Sequence, residues 1–208
     1  MLEDTDLKCL CVFCGSSAGR PEYVQAAGQL GEALARRGIS LVYGGGRVGM
    51  MGEVAKAILA AGGQVIGVIP QALVTMEVAF TGLTDLRVVG TMHERKALMA
   101  ALADGFVALP GGLGTMEEFF EVLTWAQLAL HHKPCGVLNV CHYYDAVMEF
   151  LDHAVRERFV SPLHRGIVLV ADSADGLLEQ FETYQPPQVS KAQWVLQMAG
   201  SQAPDPDR

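Results

Sequence analysis

The residues best placed to do chemistry form one run, Leu109-Pro110-Gly111-Gly112-Leu113-Gly114-Thr115-Met116-Glu117-Glu118. Glycines at 111, 112 and 114 allow positive φ and let a ligand approach the backbone closely. Apolar residues at Met116, Phe119, Phe120, Leu123, Ala126 and Leu130 follow at helical spacing. Before the glycines, the apolar stretch 103–109 reads as a buried strand. Strand, glycine turn and helix together aim bare backbone N–H groups and a helix dipole at an anion. Thr115 could cap that helix. Glu117, Glu118 and Glu121 then fall in its first two turns, which has two readings. They compensate the dipole, or a carboxylate stands beside a bound phosphate because a reaction happens there. A phosphate so close to carboxylates needs cations facing it, and the adjacent Arg95 and Lys96 are candidates. An arginine fork binds a phosphate or a carboxylate at two points. Taken alone, the pair also suits a solvated helix start.

Two further glycine turns, Cys14-Gly15-Ser16-Ser17 and Gly44-Gly45-Gly46-Arg47-Val48-Gly49-Met50-Met51-Gly52, each follow an expected strand. Gly44, Gly46 and Gly49 spell GxGxxG, a dinucleotide signature when it follows the first strand. Here it follows the second, and the third strand ends in Ile69-Pro70-Gln71 without the acid that would hold a ribose hydroxyl. No Walker lysine follows any of the glycine runs. A mononucleotide site fits these turns, the alternative being that the glycines only make tight turns. No metal is expected. His131 and His132 are sequence neighbours on different sides of a helix, and Cys11 and Cys14 form a CxxC with no second pair. His93 suits either a site or an exposed helix start.

These groups are positioned by alternating elements. Strands are expected at 7–13, 39–43, 65–69, 86–89, 103–109, 135–140 and 167–170. Helices are expected at 23–37, 50–61, 92–102, 116–130, 144–158 and 174–184. The first helix shows the stripe Val24, Ala27, Leu30, Leu34, Ala35 and stops at Gly38, which suits a C-terminal cap. The strands are runs of Val, Ile and Leu without alternation, the mark of a sheet buried on both faces. Repeated strand–helix order makes it parallel. The expectation is an α/β, Rossmann-like, doubly wound parallel sheet with helices on both faces, in a single domain over 7–185. Residues 1–6 form a flexible N-terminus, and 186–208 hold a short helix (189–199) and a disordered tail. The segment 71–84 is patternless and expected as a loop over the site. Ligands of such sheets sit beyond the carboxyl ends of the strands, where the glycine turns gather.

The chain has 208 residues, half of them hydrophobic and 18% charged, which describes a globular protein with a sizeable core. A net charge of −8 argues against a nucleic-acid surface. No apolar run approaches the roughly 18 residues of a membrane span, and the acidic start Met1-Leu2-Glu3-Asp4 is the reverse of a signal peptide. A cytoplasmic location follows. Cys9, Cys11, Cys14, Cys135 and Cys141 lie in or beside expected strands and read as buried, reduced thiols.

Pro110-Gly111-Gly112-Leu113-Gly114-Thr115-Met116-Glu117-Glu118 resembles the PGGxGTxxE signature of the cytokinin-activating phosphoribohydrolases, the Lonely Guy family. Met92-His93-Glu94-Arg95-Lys96 is similar to its second element, and the likeness runs over about 7–184. The resemblance implies hydrolysis of the N-glycosidic bond of a nucleoside 5′-monophosphate, with no cofactor, by a homodimer. It implies catalytic roles for Arg95 and Glu118. It also implies substrate contacts from Glu77, Arg95, Lys96, Gly111, Gly112, Leu113, Gly114, Thr115, Met116, Glu117 and Thr124. Gly15, Ser16, Gly45, Gly46, Met92 and His93 are further candidates. Helix 116–130 carries more apolar surface, in Phe119, Phe120, Trp125 and Leu128, than one sheet face needs, which suits a dimer, the alternative being that all four are core. Two other functions fit the same residues: a nucleotide sensor or carrier that does not hydrolyse, and a nucleosidase of broad base specificity. Members of the family are often labelled lysine decarboxylases. That chemistry needs a Schiff-base lysine with a partner for the cofactor's ring nitrogen, and only Lys96 lies near the expected site.

Overall fold

The computed structural model describes residues 7–74, 76, 79–188, 191–192 and 194–196. Seven strands form one sheet: β1 (Cys9–Phe13), β2 (Ser40–Tyr43), β3 (Val65–Pro70), β4 (Asp85–Val89), β5 (Gly105–Ala108), β6 (Cys135–Leu138) and β7 (Val168–Ala171). Their order across the sheet is β4-β3-β2-β1-β5-β6-β7, and every pairing is parallel. The chain winds outward from β1 to β4, returns to lay β5 beside β1, then winds outward the other way. Between β1 and β5 the connections therefore part, opening a crevice at the carboxyl edge. The fold is α/β and Rossmann-like, as expected.

Eight helices flank the sheet among the described residues. They are α1 (Pro21–Arg36), α2 (Gly49–Ala60), α3 (Gln71–Val74), α4 (Met92–Leu102), α5 (Leu113–Gln127), α6 (Asp145–Arg156), α7 (Pro162–Arg165) and α8 (Ala174–Glu182). Successive side chains of β1 point to opposite faces. Leu10 and Val12 join Leu30, Leu34, Val54, Ile58 and Phe181 from α1, α2 and α8. Cys11 and Phe13 join Met99, Phe119, Val122 and Met148 from α4, α5 and α6, and Tyr144, the N-cap of α6. Each face is thus a packed apolar layer, which is why the strands lack alternation.

Several boundaries differ from expectation. Helix α5 begins at Leu113, three residues before the apolar stripe, because Gly112 is its N-cap. Thr115 sits inside its first turn and is not the cap. Part of the expected loop 71–84 is the short α3. Strand β6 ends at Leu138, and a 3₁₀ turn (Val140–His142) follows in which Cys141 and His142 take positive φ, so a strand cannot continue. Cys141 is exposed there rather than buried, and all five cysteines are free. Unforeseen α7 begins with Pro162 behind Ser161, whose hydroxyl accepts from the His164 N–H. The N-terminus 1–6 and the tail 201–208 lie outside the described residues. So does much of 189–199, of which 191–192 and 194–196 are helical.

Candidate functional site

Arg95 sits in the first turn of α4, a helix whose start is well tied. Thr91 is the N-cap and its hydroxyl accepts from Glu94 N–H at 3.1 Å, while the Glu94 carboxylate accepts from Gly90 N–H at 2.7 Å. From that turn the arginine reaches inward beneath the carboxyl edge of the sheet. Its Nε donates to the Val68 carbonyl of β3 at 3.1 Å, and its Nη1 donates to Glu118 Oε1 at 2.6 Å. Its remaining nitrogen lies against Gly44, where a Cβ would collide with it. The guanidinium is therefore held on three sides.

Glu118 comes from the second turn of α5, and the paired side chains of Arg95 and Glu118 are only 9% and 11% exposed. Burial is the largest influence on the Glu118 carboxyl and raises it above the ordinary glutamate value, while Arg95 pulls it back. Of the three acids of α5, none lies in the first turn. Glu117 and Glu121 both accept from Lys96 Nζ, at 2.5 and 3.1 Å, and Glu117 above all holds that ammonium higher than usual. The dipole-compensation reading thus loses its footing, because each acid has a cationic partner instead.

Arg95 and Glu118 face a cavity of about 300 Å³ at the β1–β5 crevice, the small end of ligand-pocket sizes. Gly15, Ser16, Gly112, Leu113, Gly114 and Thr115 line it from the two glycine loops and the start of α5, together with Val12, Cys14, Met51 and Leu73. The two loops that meet here are joined by a bond from Gly15 N–H to the Pro110 carbonyl at 3.1 Å. At the start of α5 the N–H groups of Gly111, Gly112, Leu113 and Gly114 have no protein acceptor among the described residues. Through Gly112, Leu113 and Gly114 the lining thus combines free donors suited to an anion with a buried, arginine-held carboxylate.

The other sequence candidates divide between the edge of this cavity and positions away from it. Gly111 borders an adjoining cavity of about 210 Å³, shared with Gly15, Gly112, Tyr23 and Tyr143. Of the second glycine turn it is Gly44 that lines the larger cavity, not Gly45 or Gly46. The GxGxxG spacing is accounted for without a dinucleotide. Gly44 makes room for Arg95, and Gly49 has φ +62° and a place where any Cβ would collide with the Ser16 carbonyl. Met116 packs against the core, Glu117 is exposed, and Met92 and His93 are exposed at the start of α4. Lys96 is engaged with the α5 acids rather than lining the cavity. Thr124 donates to the Phe120 carbonyl and borders a separate apolar groove. Glu77 lies outside the described residues. Cys14, Gly44 and Met51 lie in the glycine turns expected at the site but were not among the candidate residues, and Leu73 was not foreseen. Sequence reasoning also missed the Tyr143 and Tyr144 hydroxyls, which donate to the Gly111 carbonyl at 2.5 Å and the Leu109 carbonyl at 2.6 Å. The adjacent tyrosines after β6 were the available signal, since a buried tyrosine hydroxyl needs a partner. Among the described residues no cluster of His, Cys, Asp and Glu could hold a metal ion.

A family model described as possible lysine decarboxylase matches residues 51–181. A probable cytokinin riboside 5′-monophosphate phosphoribohydrolase of Oryza sativa subsp. japonica is 54% identical over 179 residues, covering 86% of this chain and 73% of the relative. A cytokinin riboside 5′-monophosphate phosphoribohydrolase of Arabidopsis thaliana is 51% identical over 180 residues, covering 86% and 83%. Among solved structures, a molybdenum cofactor binding protein from Rippkaea orientalis superposes with TM-score 0.65 at 24% identity, over 85% of this chain and 96% of that one. That last likeness concerns the fold alone.

Proposed function

The chain belongs to the family of cytokinin riboside 5′-monophosphate phosphoribohydrolases, and from that premise we propose that it hydrolyses the N-glycosidic bond of N6-substituted adenosine 5′-monophosphates to the free base and ribose 5-phosphate. The observation that carries the reading is the buried Arg95–Glu118 pair facing the same cavity as the free N–H groups of α5.

As the bond from C1′ to the base nitrogen breaks, its electron pair leaves with the base and positive charge grows on the ribose ring. A fixed carboxylate against that ring stabilises the transition state more than the ground state, as in related glycoside chemistry. Glu118 takes this role and orients the water, whose hydroxyl goes to C1′ and whose proton goes to the departing base. Arg95 keeps the carboxylate ionised in its dry setting and in place, and supplies charge toward the nucleotide. Gly112, Gly114 and Thr115 receive the 5′-phosphate at the positive end of α5. Lys96, by neutralising Glu117 and Glu121, reduces the repulsion an anionic substrate would otherwise meet.

The assembly we propose is a homodimer. Its contact surface is the groove of about 290 Å³ between α5, α6 and α7, lined by Phe120, Leu123, Phe150 and Phe159. Phe150 and Phe159 are 60 and 77% exposed there, apolar surface of the kind a second copy covers. No helix among the described residues is long and apolar enough to cross a membrane. The free thiols and the nucleotide substrate support a cytoplasmic setting.

The test is to supply AMP and N6-isopentenyl-AMP, with no cofactor, and to follow both products. Stoichiometric base and ribose 5-phosphate, faster from the N6-substituted nucleotide, is the expected result. Nucleotide binding without release of base would instead mark a sensor or carrier.

A further inference from the structure

We infer that Tyr143 and Tyr144 are positioning residues that turn the carbonyls of the 109–112 turn away from the cavity, so that only N–H groups meet the phosphate. This rests on the phosphate reading given above. The physical problem is that every peptide of this turn except Leu109–Pro110, which shows only a carbonyl, carries both a donor and an acceptor, and a glycine turn is free to show either one. A carbonyl facing a phosphate would repel it.

In this turn each carbonyl is already occupied. Tyr144 Oη donates to Leu109 O at 2.6 Å, Gly15 N to Pro110 O at 3.1 Å, Tyr143 Oη to Gly111 O at 2.5 Å and Met116 N to Gly112 O at 3.1 Å. The peptide is planar and trans, so its N–H points opposite to its C=O. Holding the Gly111 carbonyl toward Tyr143 therefore sends the Gly112 N–H the other way. Gly112 lies between the two cavities and lines both, whereas Tyr143 lines only the smaller one. The carbonyl is thus drawn to the Tyr143 side and the N–H is left for the cavity that holds Arg95 and Glu118.

The tyrosines are themselves braced. Tyr144 is fully buried, its ring meets Tyr143 edge to face at 5.1 Å, and Tyr143 meets Tyr23 in the same way at 5.5 Å. Arg20 lies 4.9 Å over the Tyr23 ring and completes the stack. Three rings and a guanidinium thus hold two hydroxyls against one turn.

Tyr143→Phe removes only the hydroxyl and keeps the ring contacts, so it isolates the hydrogen bond to Gly111. Titration of ribose 5-phosphate by calorimetry is expected to show binding about five- to tenfold weaker than wild type, the size of one hydrogen bond's net contribution. KM for AMP should rise by a similar factor, kcat should fall by less, and Tm should move by no more than about 2 °C. Unchanged affinity for ribose 5-phosphate would overturn the inference. So would an equal fall of kcat and Tm alongside the affinity, since that marks general loosening. The calorimetry decides the matter even if no nucleotide is hydrolysed. A wild-type chain that bound no ribose 5-phosphate would overturn the phosphate reading and the positioning role with it.

Discussion

Burial decides what Glu118 can do. Its carboxyl is raised chiefly by desolvation and steadied by Arg95, yet the proposed chemistry needs it ionised. We therefore expect kcat/KM to fall on the acid side with an apparent pKa above the value of about 4.3 for a free glutamate. A limb at or below that value would contradict the role. The stability consequence has a definite sign. A carboxyl whose folded value exceeds its unfolded one favours the fold at low pH, and that contribution is lost as pH rises through the folded value. Gly44 gives a second residue-scale prediction. Its φ is outside the left-handed region, so alanine is not strained by the backbone there, but its Cβ collides with the Arg95 guanidinium. Gly44→Ala should lower kcat/KM by about tenfold or more and cost about 1–3 kcal/mol in denaturant unfolding, the usual price of overpacking. Wild-type kinetics in this variant would show that Arg95 tolerates displacement.

Helix α4 matters because it aims Arg95, and its aim depends on its first turn. Thr91→Ala removes the cap, which should cost about 1 kcal/mol and lower Tm by about 2–4 °C for a chain of this size. Calorimetric melting checks it, and an unchanged Tm would mean the cap is redundant with the Glu94–Gly90 bond. The elements themselves were largely legible in the sequence, for a plain reason. Strands buried on both faces must be apolar throughout, and the stripe of α1 at Ala27, Leu30 and Leu34 reports the face it packs. The start of α5 was not legible from periodicity. Leu113 is 90% exposed, so it adds nothing to an apolar stripe, and the helix is begun by a glycine cap rather than by packing. The pairing of Arg95 with Glu118 spans 23 residues and no local spacing announces it. The family resemblance pointed to both residues. Their contact, and the parts played by Val68 and Gly44, come from topology that brings α4, β3 and two loops to one edge.

At the scale of the whole molecule, the sheet order places the β1 and β5 turns side by side, and the site follows from that placement. The apolar groove on the α5–α7 side has no counterpart in the catalytic scheme, which is why we assign it to self-association. Light scattering should give twice the mass of the chain. Phe159→Asp, at a side chain 77% exposed, should shift the equilibrium to monomer without lowering Tm by more than about 2 °C if the residue touches only the partner. A wild-type monomer at micromolar concentration would contradict the assignment. Catalysis as proposed depends on one carboxylate set against one sugar ring. Its most direct test is Glu118→Gln, which keeps the shape of the side chain and removes its charge, followed in single turnovers of N6-isopentenyl-AMP with nucleotide binding measured on the same sample. Bound nucleotide with base release slowed by about 10²–10⁴-fold is the expected result. Release at the wild-type rate would contradict it.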